Sequence, residues 1–230
     1  MEKIQLNIIA TPIGNMGDIT KRAVETLNNC NAVICENYSS AKKLFQLLEI
    51  NSDKPFFVYA DINAKLQLQK AVEFIKDNKN VALISEAGTP LINDPGFEIV
   101  REIREKFSNE ISIYSIPGVS SITAHLSTSG LPTDKFMFLG FLPKTSGKRE
   151  NILKSLNAIN EIQKTTFVLF ESKYKITQLL NELNNLYPNC IVSLGNEITK
   201  LYEKNYFGSP KELLQQIKNP KGEYVVHILI

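Results

Sequence analysis

The sequence predicts an α/β fold in two domains. Residues 1–116 read as a doubly wound, mostly parallel sheet of five strands, and residues 117–230 as a smaller mixed sheet with helices. Three observations predict it. Short apolar runs alternate with amphipathic stretches of about ten to fifteen residues through the first half, the rhythm of βαβ crossovers. Two of those runs, Leu6-Asn7-Ile8-Ile9-Ala10 and Val81-Ala82-Leu83-Ile84, are nearly all apolar, as strands covered on both faces are. In the second half, some strand patterns follow one another with little room for a crossover helix, so a mixed sheet is expected.

The elements follow in order. The first half places strands at 6–10, 32–36, 56–59, 81–85 and 111–115. Over 63–78, Leu66, Ala71, Phe74 and Ile75 recur near helical spacing among Lys and Gln. The second half places helices at 119–129, 148–159, 173–187 and 210–217. Its strands fall at 136–139, 166–170, 190–194, 202–208 and 223–230. Ser209-Pro210-Lys211-Glu212 is a helix start: serine caps, proline fills the first turn, and Glu212 bonds back to the cap.

Hydrophobic residues are 43 % and charged residues 22 % of the 230, which excludes wholesale disorder, collagen-like sequence and a coiled-coil rod. The net charge of +2 neither announces nor excludes a nucleic-acid partner. It hides an asymmetry. Residues 1–115 carry 13 basic against 15 acidic residues, and residues 116–230 carry 13 against 9. The basic excess of the second half includes Lys144, Lys148, Arg149 and Lys154; it is either a chance imbalance of solvated faces or a face turned toward a polyanion, weakly phosphate-binding if the partner is a nucleic acid.

The cysteines, Cys30, Cys35 and Cys190, are odd in number and lack CxxC spacing, so neither a disulfide framework nor a metal site is expected. Cys35 ends the apolar run Ala32-Val33-Ile34 and is expected to be buried. The first residues, Met1 to Asn7, are interrupted by polar side chains and make a poor signal peptide. No apolar run approaches the roughly 18–20 residues of a membrane span, so a cytoplasmic location without membrane contact is expected. His125 lies in a helical pattern and His227 in an apolar strand, so both are read as structural.

Chemistry is expected where glycines cluster directly after strands, because ligands of open α/β sheets bind beyond the carboxyl ends of strands. Three such clusters occur: Thr11-Pro12-Ile13-Gly14-Asn15-Met16-Gly17-Asp18, the stretch from Ser85-Glu86-Ala87-Gly88-Thr89-Pro90 to Asn93-Asp94-Pro95-Gly96, and Pro117-Gly118-Val119-Ser120-Ser121. The plain alternative is three tight turns, with Asp18 and Asp94 as helix caps. The first cluster is neither GxGxxG nor a P-loop, which argues against a dinucleotide site and a nucleotide triphosphatase.

These segments, together with Ser129-Gly130-Leu131-Pro132-Thr133-Asp134 and Gly140-Phe141-Leu142-Pro143-Lys144, resemble the tetrapyrrole methylase superfamily of S-adenosylmethionine enzymes. The match spans nearly the whole chain in order and is closest to the branch acting on small-subunit ribosomal RNA. The resemblance implies two α/β domains around a cofactor cleft, S-adenosylmethionine as cofactor, and a homodimer. It implies that Pro12, with Gly14 in the same loop, lines the cofactor pocket. It implies that Ala87, Gly88, Thr89 and Ile92 hold the methionine part and ribose, and that Ser120 and Ser121 contact the cofactor from the interdomain turn. Leu142 and Glu171 are implied to close the pocket from the second domain.

The implied reaction is methylation of a cytidine ribose 2′-hydroxyl in 16S rRNA or the small ribosomal subunit, with no metal. A base accepts the ribose proton; Glu36, Glu86 and Asp94 are candidates by position, and Lys144 is an alternative for stabilising the developing alkoxide. One segment departs from the family pattern. The family commonly shows Cys-Glu-Asp-Thr-Arg, where this chain has Cys35-Glu36-Asn37-Tyr38-Ser39-Ser40. Lys42 and Lys43 bring charge there without a guanidinium's planar fork. Two other readings stay open: a tetrapyrrole C-methyltransferase, and a catalytically idle RNA-binding or assembly factor on the same fold.

Overall fold

A computed structural model describes residues 3–59 and 64–230, and the chain divides into two units, Met1–Ser120 and Ser121–Ile230. Met1, Glu2 and Asn63, the first residue of the 63–78 helical stretch, lie outside the described residues.

The first unit is a five-stranded parallel sheet in the order β3-β2-β4-β1-β5. Its strands are β1 (Ile4–Ile9), β2 (Ala32–Cys35), β3 (Phe56–Val58), β4 (Asn80–Ile84) and β5 (Ile111–Ile116). The connecting helices are α1 (Lys21–Asn29), α2 (Tyr38–Leu47), α3 (Ala64–Asn78) and α4 (Phe97–Lys106). Both sheet faces are covered. Ala23 and Leu27 of α1 and Ala41 and Phe45 of α2 pack on Ile9, Val33, Cys35, Ala82 and Ile84. Ala71, Val72 and Ile75 of α3 and Ile99 and Ile103 of α4 pack on Leu6, Ala32, Ile34, Val81 and Leu83. Adjacent strand residues alternate between these two layers, which explains why β2 and residues 81–84 of β4 are apolar throughout. All three cysteines are buried and free.

The second unit is a mixed five-stranded sheet in the order β6-β7-β10-β8-β9. Its elements are α5 (Ser121–Leu126), β6 (Phe136–Phe141), α6 (Ser146–Ile162), β7 (Thr166–Ser172), α7 (Ile176–Leu186), β8 (Ile191–Asn196), β9 (Lys204–Gly208), α8 (Pro210–Gln216) and β10 (Glu223–Leu229). Only β6 and β7 run parallel; the other neighbours are antiparallel. Leucines of α6, α7 and α8 cover one face through Phe167, Leu169, Val226 and Ile228. Ile122 of α5 packs on the other face against Val168 and Val225.

The caps differ from the sequence expectation. Asn15 caps the short 3-10 turn Met16–Asp18, Thr20 caps α1, and Gly96 with φ +108° precedes α4. Neither Asp18 nor Asp94 caps a helix. The helix expected at 119–129 stops at Leu126 because Ser127, Thr128 and Ser129 donate side-chain hydroxyls to the carbonyls of Ala124, His125 and Leu126. At Ser209 the full capping box forms, with Ser209 Oγ accepting from the Glu212 N–H and Glu212 accepting from the Ser209 N–H.

Candidate active site

The chain leaves β1 toward α1 on one sheet face and leaves β4 toward α4 on the other, although β1 and β4 are neighbours. Such divergence opens a crevice at the carboxyl ends of the strands. The three glycine-bearing loops meet there. The Thr11 N–H donates to the Gly88 carbonyl at 2.8 Å, and the Gly88 N–H donates back to the Thr11 carbonyl at 3.0 Å. Thr89 Oγ1 donates to the Val119 carbonyl at 3.0 Å, tying in the loop after β5. Glycine is required at two of these contacts. Gly88 has φ +80°, and a Cβ there would sit 3.2 Å from Ile13 Cγ2. A Cβ on Gly118 would sit 3.0 Å from the Ala10 Cβ.

The surrounding side chains are distributed as a small-molecule site requires. Pro12 and Gly88 are buried; Gly14 and Ala87 are exposed; Thr89 and Ser120 are half-buried. Ile92 is 44 % exposed, an apolar side chain left open to solvent. Thr11 Oγ1 and Asp18 Oδ2 are buried with no hydrogen-bond partner among the described residues. Buried polar atoms left in that condition are uncommon in folded proteins.

The candidate carboxylates gather at the same end of the sheet. Glu36, just past β2, and Asp94, in the loop after β4, line one small cleft with Tyr59, Ser85, Pro90 and Gly96. Glu86 is exposed and accepts a 2.7 Å hydrogen bond from Ser40 Oγ, joining the start of α2 to the β4 loop. Burial pushes the Asp94 carboxyl above its ordinary value; the Ser85 hydroxyl opposes this and the Glu86 charge adds to it. The loop carrying Asp94 is conformationally unusual, with positive φ at Leu91 (71°), Asn93 (68°) and Gly96 (108°). A left-handed leucine costs energy and persists only where its surroundings impose it, a condition that clusters at functional sites.

The remaining candidates belong to the second unit. Ser121 opens α5. Leu142 is buried in that unit's core with Leu153 and Phe167. Lys144 is exposed between β6 and α6. Glu171 is buried in β7, where Oε2 lies 2.8 Å from Arg149 Nη2 and Oε1 accepts from the Ser172 N–H.

Arg149 corrects the expected phosphate-binding face. It is fully buried, and its Nε donates to Glu182 Oε2 at 2.6 Å, so it offers no charge to solvent. Sequence reading missed this ion triad because its three members lie on three elements. A signal was present: Arg149 stands four and seven residues before Leu153 and Leu156, on the buried face of α6. Lys154 is exposed but paired with Glu150 at 2.6 Å. His125 and His227 are buried and stacked, ring centroids 4.7 Å apart, with Ser193 Oγ 3.2 Å from His125 Nε2.

Among the described residues, no cluster of three His, Cys, Asp or Glu is arranged to hold a metal ion, and no helix is long and apolar enough to cross a membrane.

Comparison with known proteins places this architecture. A family model for tetrapyrrole (corrin/porphyrin) methylases matches residues 5–214. A Leptospira biflexa protein named ribosomal RNA small subunit methyltransferase I is 39 % identical over 97 % of this chain and 90 % of its own. A Mycoplasmopsis pulmonis protein of the same name is 38 % identical over 98 % of both chains. Among solved structures, diphthine synthase superposes with a TM-score of 0.70 at 16 % identity, covering 98 % of this chain and 89 % of that one. Uroporphyrin-III C-methyltransferase from Thermus thermophilus, complexed with S-adenosylhomocysteine, gives 0.66 at 15 % identity, covering 97 % and 96 %. At such identities the structural likeness shows the fold alone. The family match and the near-full-length relatives show more: the chain belongs to the tetrapyrrole methylase family, in its ribosomal RNA small subunit methyltransferase I branch.

Proposed function

We propose that the protein is an S-adenosylmethionine-dependent methyltransferase that methylates the ribose 2′-hydroxyl of a cytidine in small-subunit (16S) rRNA. The observation that carries this reading is the 39 % identity, over 97 % of the chain, to a protein named for that class of activity. Cytoplasmic action follows from a ribosomal substrate, and pairing into a homodimer is part of the same reading.

The residues present fit the cofactor. The loops joined by the Thr11–Gly88 bridge combine buried, unpartnered Thr11 Oγ1 with the apolar, half-open Ile92. S-adenosylmethionine has both needs, polar at its amino acid and ribose and apolar at its adenine. Pro12, Gly14, Ala87, Gly88, Thr89, Ile92 and Ser120 are the residues we assign to hold it. When bound, it supplies a methyl group already activated on a sulfonium.

The chain's own task is then to align the acceptor hydroxyl and take its proton. We assign the proton to Asp94. Its carboxyl lines the cleft with Glu36, sits on the strained 91–96 loop, and has its proton affinity raised by burial. Glu86 is committed to Ser40 and is open to solvent, which suits it less. Methyl transfer from labelled S-adenosylmethionine to 16S rRNA, with the product mapped for 2′-O-methylcytidine, tests the reading. Transfer to a ribose is expected; transfer to a base only, or none, overturns it.

A further inference from the structure

We infer that one end of the second unit's sheet is a binding surface for single-stranded RNA, an inference that rests on the rRNA reading above and says which face meets the substrate.

The topology sorts the unit's charge. Strand β7 pairs antiparallel with β10 so that Ser172 faces Glu223, and β10 pairs antiparallel with β8 so that Tyr224 faces Asn196. The carboxyl ends of β6, β7 and β8 and the amino ends of β9 and β10 therefore share one end of the sheet. The turns there are bonded together: the Lys173 N–H donates to the Gly222 carbonyl, and Asn196 Nδ2 donates to the Lys221 carbonyl.

These turns are lysine-rich. The β7–α7 turn carries Lys173 and Lys175, the α8–β10 turn carries Lys218 and Lys221, and Lys204 opens β9. Among the described residues none of these five is in an ion pair. Three glutamates share the end. Glu197 and Glu223 face Lys200, and Glu203 accepts from the Thr199 N–H and from Asn205. The opposite end is balanced, with Lys135, Lys164 and Lys211 against Asp134, Glu161 and Glu212. The excess of cation is thus placed, not scattered.

Two aromatic rings stand among the lysines. Tyr174 is 82 % exposed with Lys173 Nζ 5.0 Å from its ring centroid, and Tyr202 is 77 % exposed. Lysines that meet phosphates, interleaved with open rings on which bases stack, are the makings of a single-strand RNA surface. An acidic protein partner would use the lysines and leave the rings without a role.

The test compares two variants of the full chain that lose equal charge. One is Lys173→Ala/Lys175→Ala/Lys221→Ala; the other is Lys135→Ala/Lys164→Ala/Lys211→Ala at the balanced end. Binding of a fluorescent single-stranded 16S fragment is titrated between about 50 and 200 mM salt. The first variant is expected to bind at least about tenfold more weakly, with the log–log salt slope reduced by about 2, since each lost phosphate contact removes about 0.7. The second should change less than about twofold, because charges beyond a Debye length of about 8 Å are screened. Tyr174→Ala should weaken binding about fivefold or more with an unchanged slope, and Tyr174→Phe should restore it. Equal weakening by both lysine variants, or by neither, overturns the assignment, as does equal lysine-dependent binding to anionic lipid vesicles. Methyl transfer by the unaltered chain is measured separately. If it fails while lysine-dependent RNA binding holds, the rRNA methyltransferase reading falls and the surface stands.

Discussion

The amide of Thr11 and the carbonyl of Gly88 stand 2.8 Å apart, and the reverse pair 3.0 Å apart, so the loops leaving β1 and β4 are closed on each other by a two-bond bridge. The Thr11 hydroxyl beside it is left without a partner among the described residues. The bridge fixes both loops without a side chain. Gly88 makes this possible through its positive φ.

Gly88→Ala is therefore expected to act twice. A left-handed alanine costs about 1–2 kcal/mol, and its Cβ meets Ile13 Cγ2 at 3.2 Å. The melting temperature should fall by about 2–8 °C. Affinity for S-adenosylmethionine should fall about tenfold or more if the cofactor sits on these bridged loops, as assigned above. Calorimetry with and without cofactor reads both, and full affinity in a folded Gly88→Ala protein would place the cofactor elsewhere.

Asp94 is expected to govern the acid limb of the pH–rate profile. A general base works when deprotonated, so activity should fall as pH drops through the Asp94 value, which burial has raised above the ordinary 3.8. Asp94→Asn should lower kcat by about 10²–10⁴-fold while cofactor affinity measured by calorimetry stays within about threefold. A kcat within a few-fold of the parent removes Asp94 from this role and leaves Glu36, its neighbour in the cleft, as the one to substitute next.

Arg149 holds two carboxylates, Glu171 at 2.8 Å and Glu182 at 2.6 Å, inside the second unit. Arg149→Ala leaves Glu171 buried without its counter-charge and should destabilise the protein by about 3–5 kcal/mol. The triple replacement Arg149→Met/Glu171→Leu/Glu182→Gln should recover much of that, since a packed apolar group replaces an ion pair at little net cost. Urea unfolding of the three proteins checks this. A single Arg149→Ala loss under about 1 kcal/mol would mean that water reaches the triad.

Much of this was legible in the chain. Most strands of both units were marked by apolar runs, though Lys204–Gly208 was not, and the three glycine clusters were marked by their position after strands, so the loops of the crevice followed from order alone. Ser209-Pro210-Lys211-Glu212 announced its cap because all four partners are local. What escaped reading was long-range. Arg149 looks like one more lysine-rich-face cation until Glu171 and Glu182, on other elements, are brought beside it. Asp94 looks like an N-cap until Gly96 takes that position. The sorting of lysines to one sheet end depends on strand order, β10 lying between β7 and β8, which no local pattern encodes.

His227 and His125 give the protein a built-in acid sensitivity. Both rings are buried and stacked, and burial pulls both below the ordinary 6.5, His227 to about 3, with the neighbouring His125 charge as a further cause. Because the folded values lie below the unfolded one, the unfolded chain binds more protons between about pH 3 and 6.5. Stability from these groups is complete above pH 6.5 and declines below it; for His227 the decline continues toward pH 3, by up to about 1.4 kcal/mol per pH unit. On His125 a backbone hydrogen bond at Ser193, and then the Glu203 charge, oppose the effect of burial. His227→Phe keeps the stacked ring and removes one titrating group, so its urea midpoint should fall less between pH 7.5 and 5 than that of the parent. The same pH dependence in both proteins would remove His227 from this role, since carboxylates held below their ordinary value in the fold, such as Glu197, lose their contribution only below about pH 4.5.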